Sequence, residues 1–241
     1  IRGVQSTFEG ADGLLRVYLH DHCDRERLRD GLGQRFELLG LSYKPYPCCR
    51  FSHTAIDAAR ELHARVGPVA KRVRRIRVGI NRLAYGVVCT PVDVRKAPAT
   101  IVEAQFSIPY AVATALVDGT VELGHFSEAA LGRRDIMALA GRVEAYVDQD
   151  LEREWGRKTS PALLTMELDD GTIHRARADW ALGHPNNPMS TDAFDAKALD
   201  CMRAAAVALG PAHVQALRQR VDSLETLVDA RAIAEALTPA R

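Results

Sequence analysis

Between Leu41 and Ala59 the chain reads LSYKPYPCCRFSHTAIDAA, which gathers Lys44, Tyr46, Cys48, Cys49, Arg50, Ser52 and His53 into one short stretch. These residue types hold anions and move protons: an ammonium, a guanidinium, thiols, hydroxyls and an imidazole. Pro45 and Pro47 fix their own φ at about −65° and push Lys44 and Tyr46 toward extended geometry. A stiff loop suits a site that must hold polar groups in place. Ser52 stands where a helix N-cap would, which would set first-turn N–H groups and the positive end of the dipole beside Lys44 and His53. That combination predicts a place to hold a carboxylate. The alternative from residue types alone is an ordinary Pro-rich turn with a solvated Lys and a structural His.

Cys48, Cys49 and His53 are also zinc-ligand types. A compact CC-x3-H with no second pair is poor geometry for four tetrahedral ligands, so no metal is expected. The sequence has no GxGxxG, no GxxxxGK[ST] and no GxSxG. The usual nucleotide-phosphate loops and the serine elbow are therefore missing from it.

Composition sets the frame for these residues. A chain of 241 residues with 47% hydrophobic and 26% charged side chains can bury the core of one large domain or two modest ones. A net charge of +1 gives no overall attraction to nucleic acid or to an anionic membrane. Five cysteines, an odd number with no CxxC pair, point to reduced thiols and a cytoplasmic location. No apolar run approaches the roughly 20 residues that span a bilayer. The opening IRGVQSTFEG lacks a basic and an apolar region, so no secretory signal is expected. The missing initiator Met points to processing, trimming or a piece of something longer.

The elements that must position the loop follow from periodicity. Residues 1–35 read as a helical segment of short helices and turns, with Leu14–Leu19 bunched after Gly13 and DRERLRDGLG as a brief polar helix. FELLGLSY, residues 36–43, reads as a strand entering the Pro loop. After the loop, Ile56, Ala59, Leu62 and Val66 mark an amphipathic helix that stops at Gly67-Pro68. KRVRRIRVGIN alternates as a half-buried strand, with Lys71, Arg72, Arg74, Arg75 and Arg77 on its solvent face rather than forming a nucleic-acid patch. EAQFSIPYAVATALVDG predicts one helix closed by Gly119, with Pro109 near its first turn. Short helices at 127–131 and 133–141 and a strand at 142–147 come next. ALLTMEL and TIHRARA make a hairpin turning at Asp169-Asp170-Gly171. WALGHPNNPMS is a connector or a mobile lid carrying His184. Phe194 to Leu209 predicts one helix ended by Gly210, and Val214 to Val228 a second stripe. The expected class is α+β: a small α/β lid-type domain over 36–180 with an antiparallel or mixed sheet, flanked by helical segments at 1–35 and 181–241.

Three segments in order, KPYPCCRFSHTAIDAA, VEAQFSIPYAVATALVDG and GHPNNPMS, resemble the MmgE/PrpD family of 2-methylcitrate dehydratases and aconitate decarboxylases. The similarity starts near Phe8, where FEGADG is similar to the family's EG-x-x-G turn. It corresponds to the second half of the family pattern; members carry an all-helical first half that supplies an Asp and a His. The resemblance implies cofactor-free lyase chemistry on small di- or tricarboxylates, without metal or nucleotide, at a site between a helical domain and a lid, in a homodimer.

By the same resemblance Lys44 is the lysine that binds a substrate carboxylate. His53 is a histidine just ahead of the helix, and Tyr85 a tyrosine near the substrate; these three are the catalytic candidates. Cys49, Arg50 and Ser107 are the substrate-binding candidates. Cys49 stands where decarboxylases place a histidine, and a thiol is a weaker proton donor and no cation. A dehydratase-like lyase is therefore the leading expectation. The alternatives are an epimerase of an imino- or amino-dicarboxylate, or a non-catalytic lid-like binding or dimerisation module.

Overall fold

The computed structural model describes residues 6–68, 70–156 and 159–239. The opening IRGVQ and the two C-terminal residues lie outside the described residues. The chain divides into two compact units, Ile1–Leu41 and Ser42–Arg241.

In the first unit the N–H groups of Leu14 and Leu15 bond to the carbonyls of Thr7 and Phe8 and start α1, Leu14–Leu19, which buries Leu15. DRERLRDGLG forms a run of turns rather than the expected helix. The Asp24 carboxylate accepts from the N–H groups of Glu26 and Arg27, the start of a helix, but the chain continues in turns. FELLGLSY is likewise not a strand. Glu37–Gly40 is a 3-10 turn in which Leu39 and Leu41 N–H bond to Phe36 and Leu38 carbonyls, so the backbone is satisfied locally.

The second unit is built in the order α2 (His53–Val66), β1 (Val73–Ile80), α3 (Arg82–Val88), α4 (Val92–Lys96), α5 (Ile101–Gln105) and α6 (Ile108–Asp118). Then come α7 (Glu128–Leu131), α8 (Arg134–Ala140), β2 (Val143–Val147), α9 (Gln149–Trp155), β3 (Ala162–Leu168) and β4 (Ile173–Ala178). The C-terminal helices are α10 (Thr191–Arg203), α11 (Pro211–Asp222) and α12 (Arg231–Glu235).

The sheet is mixed, in the order β2-β1-β3-β4, with β1 parallel to β2 and antiparallel to β3, and with β3 antiparallel to β4. The α+β expectation holds in this form. Ile76, Val78 and Ile80 of β1 and Ala162, Leu164, Met166 and Leu168 of β3 are buried, the period-2 pattern of a sheet with one covered face, and a register shift between Val73 and Arg75 brings Val73 to the same buried face. That face is covered by α2 and α6, and α2 contributes Ile56, Ala59 and Leu62 with none of their surface exposed. The outward arginines of β1 pair across strands, Arg74 with Glu167 and Arg75 with Glu144, and Arg72, just ahead of β1, pairs with Asp169 and Asp170 of the hairpin turn. Arg77 lies 4.6 Å over the Tyr146 ring. The basic run is the sheet's solvated face. The hairpin turn is as expected, with Gly171 at φ 83°.

Two helix boundaries differ from the sequence expectation. EAQFSIPYAVATALVDG is broken at Phe106-Ser107 into α5 and α6, each with its own cap, Thr100 and Ser107. α10 ends at Arg203, so the stripe through Leu209 is not one helix; Leu209 N–H instead folds back to the Met202 carbonyl. Met202, Leu209 and Val214 form a small separate cluster. The expected stripe from Val214 to Val228 is likewise cut short: α11 ends at Asp222, and Val228, beyond it, is fully exposed. Among the described residues no helix is long and apolar enough to cross a membrane.

Candidate active site

The Pro loop is held rigidly, by tethers on several sides. Tyr43 N–H bonds to the Gly183 carbonyl at 2.8 Å, and Cys49 N–H to the Gln105 carbonyl at 2.9 Å. Gln105 Nε2 returns a bond to the Pro47 carbonyl at 3.1 Å. Tyr46, 4% exposed, donates its hydroxyl to Asp57 Oδ1 at 2.5 Å and accepts from Arg60 Nη1 at 2.8 Å. The other Asp57 oxygen accepts Leu182 N–H at 2.7 Å. Arg60 in turn donates to the Gly119 carbonyl at 3.1 Å. This Tyr46–Asp57–Arg60 network pins the loop to α2.

Lys44 is exposed and has no hydrogen bond or ion pair among the described residues. It lines a cleft of about 360 Å³ together with Cys49, Gln105 and, from α10, Lys197, Asp200 and Cys201. Asp200 is fixed there because its Oδ2 accepts Leu123 N–H at 2.9 Å. Lys197 Nζ lies 3.9 Å from Cys201 Sγ. The cleft therefore offers an unpaired ammonium on a stiff loop and a second ammonium from the C-terminal helices, a pairing complementary to carboxylate groups. The walls are largely apolar, including Phe106 and Leu123, and the cleft opens to solvent at Lys44. The Cys48 thiol beside it is pushed up to about 12 by burial and is inert at neutral pH.

The structure brings Lys44 and Cys49 to one cleft but not the remaining candidates. His53 is completely buried in the first turn of α2. Its Nε2 faces the Cys48 carbonyl at 3.4 Å and its Nδ1 faces Arg50 Nη1 at 3.1 Å, which makes it a neutral ring with the proton on Nε2. Burial, then the charges of Arg50 and Lys44, lower its pKa to about 3. It holds the turn and faces no cleft, because the 3-10 turn rotates the ring inward against Tyr46, 5.1 Å away between centroids.

The Ser52 cap is a correction of the same origin. Arg50–Ser52 forms a 3-10 turn that runs straight into α2, Ser52 has helical φ/ψ, and its hydroxyl caps nothing and is buried without a partner. The open helix N-terminus expected to hold a carboxylate is thus occupied by the chain itself.

Arg50 lines a different cavity, with His184. Ser107 is fully buried; it donates to the Arg95 carbonyl of α4 at 2.5 Å and accepts Tyr110 N–H at 3.0 Å as the cap of α6, so both its functions are used. Tyr85 sits half-buried on α3 against the core and lines neither cavity. Sequence reasoning missed Asp57, Arg60, Lys197 and Asp200. Asp57 and Arg60 sit three apart on α2 as a surface ion pair would, and the signal that they are not one is Asp57's position between Ile56 and Ala58, both buried. Among the described residues no group of three or more His, Cys, Asp or Glu is arranged to hold a metal ion.

The model of the MmgE/PrpD C-terminal domain matches residues 46–225. The chain belongs to the MmgE/PrpD family. Tyr46, Cys49, Arg50, His53, Tyr85 and Ser107 lie inside the match, and Lys44 stands two residues ahead of it. A curated relative, the cis-aconitate decarboxylase of Aspergillus terreus, is 25% identical over 165 residues, which cover 66% of this chain and 33% of the relative. The chain thus spans about a third of the length of the curated relative it matches. As a MmgE/PrpD C-terminal domain, it carries its candidate cleft at the stiff loop where the match begins.

Proposed function

We propose that this chain supplies the carboxylate-holding wall of a cofactor-free lyase that acts, in a dehydratase-like reaction, on a small di- or tricarboxylate of the methylcitrate or aconitate type. The observation that carries the reading is Lys44, an unpaired ammonium on a loop tethered to α2, α5 and the Gly183 loop, at a cleft with a second ammonium from Lys197.

Taking a proton from a carbon next to a carboxylate spreads negative charge onto the carboxylate oxygens. A fixed ammonium aimed at those oxygens stabilises that charge more than it stabilises the ground state. Lys44 takes that role, and Lys197 suits a second carboxylate. Cys49 faces the same cleft, and because a thiol is a weak acid and no cation, the reading is dehydration rather than decarboxylation. His53 and Arg50 act as positioning residues that fix the turn after the loop, and Tyr85 and Ser107 act through the core and the start of α6. The principal base comes from residues outside this chain, in a longer protein that works as a cytoplasmic homodimer.

The test is Lys44→Ala in the complete protein, assayed on a panel of polycarboxylates by NMR in D2O. A fall in kcat/KM of about a hundredfold or more with an unchanged circular dichroism spectrum is expected, and near-normal turnover overturns the assignment. An alkene product identifies dehydration. Deuterium exchange into an intact skeleton identifies an epimerase and replaces this reading, and a dimer with no turnover on any substrate identifies a binding module.

A further inference from the structure

A second cavity, of about 260 Å³, shares no lining residue with the cleft at Lys44. Arg50 lines it from the 3-10 turn, Thr54 from α2, Thr159 and Ser160 from the stretch before β3, and His184 from the loop after β4. No acidic side chain lines it.

The donors in this cavity are fixed. Arg50 uses only Nη1 on the protein, toward His53 Nδ1 and the Leu182 carbonyl at 3.2 Å; Nε and Nη2 have no partner among the described residues. The nearest carboxylate acting on it, Asp57, is already engaged by Tyr46 and by Leu182 N–H. His184 Nδ1 accepts Asn186 N–H at 3.0 Å, which puts the proton on Nε2, again without a partner among the described residues.

The imidazole is clamped as well. It stacks on Trp180 with centroids 4.2 Å apart and planes 28° apart, and Trp180 meets Trp155 edge-on at 5.0 Å. Asn187 Nδ2 donates to the Trp180 carbonyl at 2.9 Å, and Gly183 N–H to the Asn187 carbonyl and Asn187 N–H to the His184 carbonyl, each at 2.8 Å, close the loop.

Oriented donors, one of them cationic, around a polar space without an acceptor charge are complementary to an oxyanion. The volume lies below the range of drug-sized pockets, which restricts the occupant to a small group. We propose that the Arg50–His184 cavity binds the oxyanion of a small carboxylate or phosphate, at a site separate from the Lys44 cleft and independent of the lyase reading. Arg50 was a candidate for the substrate cleft on sequence alone; the structure assigns its free donors to this second site.

Trp155 and Trp180, the chain's two tryptophans, both belong to the clamp, so intrinsic fluorescence reports on it directly. The chain is titrated with inorganic phosphate in one arm and succinate in another, at ionic strength held constant with sodium chloride. A saturable change in either arm is expected, and the arm that gives it identifies the source of the oxyanion. His184→Phe keeps an aromatic ring against Trp180 and removes the Nε2–H, and it should weaken binding about tenfold or more, the loss of one charge-assisted hydrogen bond. Arg50→Gln should abolish saturation, and Lys44→Ala should leave it unchanged. Because Arg50 also holds the turn, His184→Phe decides the matter if Arg50→Gln does not fold. No saturation in either arm, a response that His184→Phe retains, or one that Lys44→Ala removes would each overturn the proposal.

Discussion

Tyr46→Phe tests whether the tether beneath the Lys44 loop is as strong as its geometry implies. The substitution removes one oxygen and leaves the ring, so no sizeable cavity forms. What is lost is the bond to Asp57 at 2.5 Å and the bond from Arg60 at 2.8 Å. Arg60 keeps the Gly119 carbonyl and reaches water, so its loss is small. Asp57 keeps only Leu182 N–H, and burial already raises its pKa while the Tyr46 hydroxyl works against that rise. A hydrogen bond to a charged group contributes about 1.5–3 kcal/mol, so the variant should be less stable by roughly 2 kcal/mol. For a chain of this size that corresponds to a fall in Tm of about 4–8 °C. The sign with pH is also fixed. A carboxyl whose folded pKa is raised contributes stability in acid that fades as pH rises through that value, and removing the Tyr46 bond raises it further. The deficit should therefore be largest at neutral pH and shrink as Asp57 protonates. Urea unfolding followed by circular dichroism at pH 7 and pH 4 measures both. A deficit under about 0.5 kcal/mol, the size of an ordinary surface substitution, at both pH values would refute the claim that this network anchors the loop.

Three further outcomes follow from the same packing. His53, held neutral with a folded pKa of about 3 against an ordinary 6.5, gives stability that is complete above pH 6.5 and is lost as pH falls toward 3. His53→Gln should flatten the stability–pH curve across that window by up to one proton, about 1.4 kcal/mol per pH unit, as read from unfolding midpoints at half-unit steps; parallel curves would contradict a buried neutral ring. Alkylation by iodoacetamide, followed by mass spectrometry, should label exposed Cys201 first and leave Cys48 and Cys89, both buried and pushed up to about 12, until last. Gly183→Ala should destabilise by about 2 kcal/mol or more, since φ is 87° and the new Cβ would stand 2.5 Å from the Tyr43 carbonyl oxygen; an unchanged unfolding midpoint would mean that the tether between Tyr43 and Gly183 is not formed.

Much of the fold was legible because β3 and α2 keep one period along their length, as β1 does from Arg75 onward. Alternation in VRRIRVGI and ALLTMEL and the Ile56-Ala59-Leu62 stripe state which face is covered, and the strand arginines then have only solvent and acidic neighbours to meet. FELLGLSY failed because a short apolar run does not reveal whether another strand is available to pair with it. The split between α5 and α6 falls at Ser107, which a helical pattern absorbs but whose hydroxyl caps the start of α6.

The site was legible to a lesser degree, for a reason that is local rather than general. Position along the loop fixes what Lys44 and Cys49 face, because backbone and side-chain tethers hold that bent stretch in place. From Arg50 onward the chain winds into a 3-10 turn, and each residue there is rotated by about 120° from the last. Neighbours in sequence, Cys49 and Arg50, consequently line different cavities, and His53 enters the core. Lys197 and Asp200, far along the chain, reach the Lys44 cleft instead. A cluster of reactive residue types in one short stretch is thus distributed by backbone geometry between two cavities and the core. The division predicts that Lys44→Ala does not alter the loss of phosphate or succinate affinity caused by His184→Phe, since groups in separate sites share no partner. Non-additivity above about 0.5 kcal/mol in the double variant would place both residues on one ligand and merge the two cavities into one site.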